Sequence, residues 1–317
     1  MFGLKSDWSL DTNDRYFTLD DYAGAEPRWC TGCGDLGILA TIHRVCREAQ
    51  ILPEKIVSVS GIGCSSRLPH YMHTYGFHGL HGRALPVACG VKSRRPDLDV
   101  WVATGDGDCF SIGAAHWVHA LRYNMDMTIL VFDNGIYGLT KKQTSPTTPE
   151  EYQTNTHPGG AILPPLNPLT VSLGVTNVSF VAQMVDWNPP LLYETIKAAH
   201  DHKGTSFVRI IQRCPVYMEQ MNLDMMDDPA NLLLLKHENG ILVPEGVDRL
   251  FENQIEHDPM NLANAMAVAA DESKMPVGLL YRNPDALCYD ELSNAGLDMI
   301  DEEKLAGVND ALDSFTI

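Results

Sequence analysis

Three short apolar runs each end on a residue suited to binding, and this pattern constrains the fold more than anything else in the chain. Ile56-Val57-Ser58-Val59-Ser60 runs into Gly61 and, three residues on, Cys64. Val100-Trp101-Val102-Ala103-Thr104 runs into Gly105-Asp106-Gly107, and Thr128-Ile129-Leu130-Val131-Phe132 runs into Asp133-Asn134. Apolar runs of this length, bounded by turn residues, read as buried strands. Between them Leu36, Ile38, Leu39, Ile42, Val45 and Ala49 give a helical period starting near Gly34. Further helices are expected over 84–92, continuing towards Pro96, and over about 112–124. Later strands are expected at 176–182 and 206–212, with a helix over 190–202 between them. The class is therefore α/β: a mostly parallel sheet with helices on both faces. Such folds bind ligands beyond the carboxyl ends of their strands, so Cys64, Asp106 and Asn134 should meet at one edge.

The 317 residues suffice for one large domain with extensions. An irregular arm is expected over 1–28, a binding domain over 29–217 and an extension over 218–317, which reads as a less regular mixture of helix and loop. Residues 140–170, rich in Thr, Pro and Gly, read as a long functional loop. Charge divides the chain sharply. Of the net −18, residues 218–317 carry 21 acids and five bases, or −16, and the first 217 residues carry 20 acids and 18 bases. An acidic extension repels phosphates and argues against a nucleic-acid partner. No apolar run approaches the roughly 20 residues of a membrane span, and the first residues lack a secretory pattern. A cytoplasmic location is expected, with the eight cysteines as thiols or metal ligands rather than disulfides.

Two groups of residues carry chemistry. The first is Gly105-Asp106-Gly107, followed after 26 residues by Asn134. Mg²⁺ takes oxygen ligands in near-octahedral geometry and usually keeps phosphate and water among them. Asp106 offers a carboxylate, Asn134 an amide oxygen and Ile136 a backbone carbonyl, while Gly105 and Gly107 allow a phosphate close to the backbone. The second group is Cys30 and Cys33, two residues apart, with Cys64 and Cys214. Four thiolates suit an iron–sulfur cluster, and structural zinc is the alternative. Cys46, Cys89, Cys109 and Cys288 are read as small buried apolar residues.

The first group resembles the thiamine diphosphate motif. His81-Gly82-Arg83-Ala84, Gly105-Asp106-Gly107-Asp108, Asp133-Asn134-Gly135-Ile136-Tyr137-Gly138-Leu139-Thr140-Lys141 and Ser145-Pro146-Thr147 together resemble the β subunit of 2-oxoacid:ferredoxin oxidoreductases. The resemblance spans roughly residues 25–217. Ala114-Ala115 stands where that family often has Gly-Asn, and Lys142 where it often has Gly. The resemblance implies a 4Fe-4S cluster on Cys30, Cys33, Cys64 and Cys214. It further implies Mg²⁺ on Asp106, Asn134 and Ile136, and a thiamine diphosphate site on Gly63, Ser65, His81, Gly105, Asp106, Gly107, Asp108, Asn134, Ile136, Gly138, Leu139 and Thr140.

In most thiamine enzymes a Glu on a separate domain activates the aminopyrimidine, and this chain shows only one αβ unit. The resemblance therefore implies an α subunit that supplies it, in an α2β2 assembly. The activity implied is oxidative decarboxylation of a 2-oxoacid with coenzyme A, with electrons leaving through the cluster to ferredoxin and the reverse direction open. Gly61-Ile62-Gly63-Cys64-Ser65-Ser66-Arg67 and Tyr75-Gly76-Phe77-His78-Gly79-Leu80-His81-Gly82-Arg83 are similar to the 2-oxoglutarate branch. A broad-specificity or pyruvate-type enzyme is the alternative, then a non-oxidative decarboxylase or carboligase. Arg67, a planar fork suited to a carboxylate, and His81, a proton-handling group, are the candidate catalytic residues. Lys141 is a further candidate for the substrate or diphosphate.

Overall fold

A computed structural model describes residues 16–219, 224, 226, 228–294 and 301–315. Residues 1–15 of the expected arm, and 220–223, 225, 227, 295–300 and 316–317 of the expected extension, lie outside the described residues. The elements run α1 (Leu19–Tyr22), α2 (Asp35–Glu48), β1 (Ile56–Ser60), β2 (Tyr75–His78), α3 (Ala84–Arg94), β3 (Asp99–Gly105), α4 (Ala114–Tyr123), β4 (Met127–Asp133) and the small pair β5 (Ile136–Tyr137) and β6 (Gln143–Thr144). They continue with α5 (Pro168–Leu173), β7 (Phe180–Val185), α6 (Pro189–His200), β8 (Thr205–Ile211), β9 (Leu232–Lys236), β10 (Asn253–Glu256), α7 (Leu262–Ala270), β11 (Met275–Arg282), α8 (Tyr289–Asn294) and α9 (Asp301–Asp313).

Nine strands form one sheet in the order β10-β9-β11-β7-β8-β4-β3-β1-β2. From β7 to β2 every pairing is parallel, as the alternation of strand and helix requires. Every residue of β1 and β4 is buried, so these strands lie between two helical layers. One layer is set by α2 and α6, where Ile38, Ile42, Val45, Leu191 and Ile196 pack on the sheet. The other is set by α3, α4 and α7, through Leu85, Trp117, Leu121 and Ala265. Cys46 lies buried on the apolar face of α2.

Three features differ from the sequence reading. β2 is a strand although all four of its residues are exposed, because it sits at the sheet edge beside β1. The strand expected at 176–182 begins at Phe180, because Asn177 takes a left-handed φ of 73° and turns the chain. The segment after 218 is more regular than expected: β9, β10 and β11 extend the same sheet, with β11 antiparallel to β7. The binding motifs are left at one edge, where β1, β3 and β4 end.

Candidate active site

A cavity of about 370 Å³ opens at that edge. Gly63, Cys64 and Ser65 line it from the turn after β1, and His81 from the turn after β2. Gly105, Asp106, Gly107 and Asp108 come from the end of β3. Asn134, Ile136, Gly138, Leu139 and Thr140 come from the segment after β4. The structure thus brings every residue expected to hold the cofactor to one space. Sequence reasoning missed Ile62, Phe132, Tyr137, Gln143 and Gln212, which also line it. Tyr137 and Gln143 stand on β5 and β6, a two-residue pair too short for periodicity to mark. Tyr137 had a signal, since its ring occupies the space a side chain at Gly107 would need: a Cβ there would lie 2.4 Å from the ring.

The end of the cavity at Asp106 and Asn134, expected to take a cation, is acidic and buried. Asp106 is 2% exposed, and burial, then the neighbouring Asp133 charge, pushes its carboxyl up from 3.8 to about 7. Thr147 Oγ1 lies 3.0 Å from Asp106 Oδ2 and 2.7 Å from Asp133 Oδ1, so its single proton is shared between two carboxylates. Arg209 Nε donates to the other Asp133 oxygen at 2.6 Å, which leaves Asp106 without a cationic neighbour of its own among the described residues. Asn134 Nδ2 donates to Gln212 Oε1 at 2.9 Å, and Asn134 Oδ1 accepts from Ile136 N at 3.2 Å. The Asn134 amide is therefore fixed, with a second lone pair on its oxygen. Ser65 Oγ is buried in the cavity wall with no hydrogen-bond partner. A buried carboxylate raised by burial, an amide oxygen and an orphaned hydroxyl fit a divalent cation carrying a polar anion.

Asp108 plays a different part from Asp106. Its Oδ1 accepts from Gly82 N at 2.7 Å and Ile62 N at 3.1 Å, and lies 2.6 Å from His81 Nδ1. Its Oδ2 accepts from Thr104 Oγ1 at 2.7 Å. Both oxygens are spent on protein donors, so Asp108 ties the β1 and β2 turns together and orients His81. The His81 ring meets Tyr137 edge-on at 5.7 Å, and Tyr137 OH donates to Gly107 O at 2.8 Å.

The four cysteines come from three places. Cys33 N donates to Cys30 O at 3.1 Å, closing the turn that precedes α2, and Gly34 N donates to Arg213 O at 3.1 Å, which brings that turn against Cys214. A Cβ at Gly34 would stand 2.0 Å from Asp186 Oδ2 and 3.0 Å from Arg213 N, so only glycine allows this approach. Burial, then the charge of Asp35, pushes the Cys33 thiol far up and the Cys64 thiol up to about 12. Cys33 also feels Cys64 and Cys214, Cys64 feels Cys214 and Cys30, and Cys214 feels Cys30, so the four are near neighbours. Among the described residues no three His, Cys, Asp or Glu side chains are grouped to hold one metal ion.

Arg67 is not in the cofactor cavity. It lines an adjoining space of about 530 Å³ with Arg28, His70 and His78, and the two cavities share Ile62, Gly63 and Leu139. Arg67 Nη1 donates to Arg28 O at 3.2 Å, and the guanidinium lies 5.7 Å from the Tyr71 ring centre. Lys141 is exposed, with a left-handed φ of 69°, and lines neither space.

Comparison with known proteins agrees with this geometry. Residues 61–210 match the family described as thiamine pyrophosphate enzyme, C-terminal TPP binding domain, and residues 247–295 match the C-terminal family of the pyruvate ferredoxin oxidoreductase beta subunit. The chain is 37% identical over 273 residues to the 2-oxoacid:ferredoxin oxidoreductase 2, subunit beta, of Aeropyrum pernix, covering 86% of this chain and 85% of that protein. The chain belongs to the β subunits of the 2-oxoacid:ferredoxin oxidoreductases. Among its relatives, the 2-oxoglutarate oxidoreductase subunit KorB of Mycobacterium tuberculosis is 49% identical over 224 residues, covering 71% of this chain but only 59% of that protein. A solved 2-oxoglutarate:ferredoxin oxidoreductase from Magnetococcus marinus, with 2-oxoglutarate, coenzyme A and succinyl-CoA bound, matches at TM-score 0.77 and 37% identity, covering 92% of this chain and 96% of that one. The strand-ending motifs of this β-subunit family lie within the region matched to the thiamine family.

Proposed function

We propose that the chain is the β subunit of a 2-oxoglutarate:ferredoxin oxidoreductase, which converts 2-oxoglutarate, coenzyme A and oxidised ferredoxin into succinyl-CoA, CO₂ and reduced ferredoxin. One observation carries the reading: Cys64 lines the same cavity as Asp106, Asn134 and Ile136. A cluster on Cys30, Cys33, Cys64 and Cys214 is then in contact with the space that takes the cofactor, the arrangement that removing electrons one at a time requires.

Asp106, the Asn134 oxygen and the Ile136 carbonyl would hold Mg²⁺, and the glycines of the Gly105-Asp106-Gly107 turn would leave room for the diphosphate beside it. The bound thiamine supplies a carbon nucleophile and an electron sink. This chain's residues do the rest. Thr147 and Arg209 occupy the two oxygens of Asp133, Ser65 offers an unpaired hydroxyl to the cavity, and Asp108 orients the ring of His81. The names of the relatives favour 2-oxoglutarate as the substrate. An α subunit provides the pyrimidine-activating residue in an α2β2 assembly. The exposed edge strand β2, with Tyr75 66%, Phe77 54% and nearby Leu80 76% exposed, offers apolar surface beside His81 for it. The enzyme is assigned to the cytoplasm. No helix among the described residues is long and apolar enough to cross a membrane.

The test is ferredoxin reduction by the co-purified αβ enzyme with 2-oxoglutarate, pyruvate and 2-oxobutyrate in turn. The expected result is the highest kcat/KM for 2-oxoglutarate and no turnover by this chain alone. A preference for pyruvate would move the enzyme to another branch, and turnover by the isolated chain would show that no α subunit is needed.

A further inference from the structure

The four cysteines are not equally placed. Cys64 lines the cofactor cavity, Cys214 is buried, Cys33 is half-buried and Cys30 is exposed. A cluster on these four thiolates therefore has an inner side, at Cys64, and an outer side, at Cys30. The local chain explains the outer position. Trp29 Nε1 donates to Cys64 O at 2.7 Å, and its ring meets Tyr71 edge-on at 4.6 Å. The indole is anchored inward, and Cys30, next in the chain, is left at the surface. Gly32 then takes a left-handed φ of 81° and turns the chain back to Cys33, against Pro215.

The surface around Cys30 is partly apolar and cationic. Thr31 is exposed, and Val216, two residues past Cys214, is 54% exposed. Arg28 is exposed and lines the space that adjoins the cofactor cavity, together with Arg67, whose backbone N donates to Cys64 O at 3.2 Å. Glu26 is the one acid lining that space, and the charge of Arg213 is spent on Asp186 at 3.0 Å. Two guanidinium groups thus face one carboxylate beside the outer thiol. The contrast with the rest of the chain is large, since the total is −18 and the last hundred residues carry −16.

Electrons that enter a cluster from the cofactor cavity, at Cys64, can leave to another protein only on a side that protein can reach. We propose that a ferredoxin of acidic surface docks over the Cys30 turn, on Thr31, Pro215 and Val216, drawn there by the positive field of Arg28 and Arg67. No bond forms or breaks in this step. Each encounter moves one electron from the reduced cluster of this chain to an oxidised ferredoxin, which oxidises the first and reduces the second, and two encounters clear one turnover. A small contact steered by charge suits a carrier that must dissociate after each electron, as electron-transfer encounters do. This inference rests on the function proposed above and adds to it the face used by the electron acceptor.

The experiment places opposite charges at two exposed positions of this face in the assembled, cluster-loaded enzyme: Val216→Lys and Val216→Glu, then Thr31→Lys and Thr31→Glu. Leu250→Lys and Leu250→Glu, at a 62% exposed position of the extension, are the control. The dissociation constant for oxidised ferredoxin and the KM for ferredoxin are measured at low and high salt. At about 10 mM salt, where charges reach roughly 30 Å, each Lys should tighten ferredoxin binding and each Glu weaken it, by about three- to tenfold. Both effects should fade at about 1 M salt, where the reach is roughly 3 Å, and the Leu250 pair should match wild type. Iron content, co-purification with the α subunit and the rate at which 2-oxoglutarate bleaches the cluster should not change, because those steps precede the carrier. A damaged fold or cluster weakens binding with either charge, so the opposite signs of Lys and Glu mark an electrostatic contact. Equal ferredoxin affinity for Lys and Glu at both positions would put the carrier elsewhere. Loss of the α subunit from the Glu variants would give this face to that subunit, and slower bleaching would tie it to the cluster itself; each of the three overturns the proposal. A wild-type enzyme whose cluster 2-oxoglutarate does not bleach would instead overturn the function on which it rests.

Discussion

Asp106→Asn should stabilise the cofactor-free protein while destroying its cation site. In the empty cavity the Asp106 carboxyl rises from 3.8 to about 7 through burial and the Asp133 charge. That difference corresponds to roughly 4 kcal/mol of penalty on the ionised form. In the unfolded chain the group ionises near its ordinary value, so the folded state loses stability as pH rises from about 4 to about 7, and the loss is level above 7. Asn keeps a polar group for Thr147 without the charge and should recover about 2–4 kcal/mol at pH 8, on the order of 4–8 °C in Tm for a chain of this size. The gain should shrink towards pH 4. Thermal unfolding at pH 8 and pH 5, with and without Mg²⁺ and thiamine diphosphate, reads both effects. In the assembled enzyme Mg²⁺ displaces the proton from wild-type Asp106, so cofactor affinity should fall about tenfold per pH unit below 7 and be lost in the Asn variant. Equal Tm for the two cofactor-free proteins at pH 8, or unchanged cofactor affinity at low Mg²⁺, would show that Asp106 is only part of a turn.

Replacing Cys30, Cys33, Cys64 or Cys214 with Ala should abolish iron binding and the visible cluster absorbance, while Cys46→Ala and Cys288→Ala keep both; full iron in Cys214→Ala would remove it from the ligand set. Gly34→Ala forces a Cβ to 2.0 Å from Asp186 Oδ2 and should cost about 2–4 kcal/mol together with cluster content, and a normal melt with full iron would show that the turn tolerates the shift. Arg67→Ala should lower kcat/KM by the equivalent of about 2–4 kcal/mol, and Arg67→Lys by less, since a point charge replaces a fork. Loss confined to 2-oxoglutarate places Arg67 on the distal carboxylate, equal loss with 2-oxobutyrate places it on the departing one, and near-normal kinetics with both makes it structural.

The central sheet was legible because its strands are buried on both faces. β1, β3 and β4 are mostly apolar runs, and Cys64, Asp106 and Asn134, the proposed ligand residues, follow within four residues of their ends. The cavity followed from the same fact, since parallel strands deliver their terminal residues to one edge. β2 was hidden because its residues are all exposed and carry no period. In the acidic extension, Leu232–Leu235 is an unbroken leucine run that suits helix or strand, and three of the four residues of Asn253–Glu256 are polar, so their pairing depends on β11 and not on local pattern. Gln212 escaped notice because an uncharged amide carries no motif, although it fixes Asn134. Asp108 shows the opposite limit: spacing marked it for the cofactor, whereas the donors around it tie it to His81, Thr104 and the backbone.

One cavity joins Asp106, Asn134 and Ile136, the proposed cation residues, to Cys64, a proposed cluster ligand, and the proposed electron path depends on that junction. Rapid mixing of the anaerobic αβ enzyme with 2-oxoglutarate, followed through the cluster's visible absorbance, tests it most directly. The expected result is bleaching in the wild type that requires thiamine diphosphate and disappears in Asp106→Ala. A cluster that stays oxidised in the cofactor-loaded wild type, or that bleaches equally without thiamine diphosphate, would contradict it.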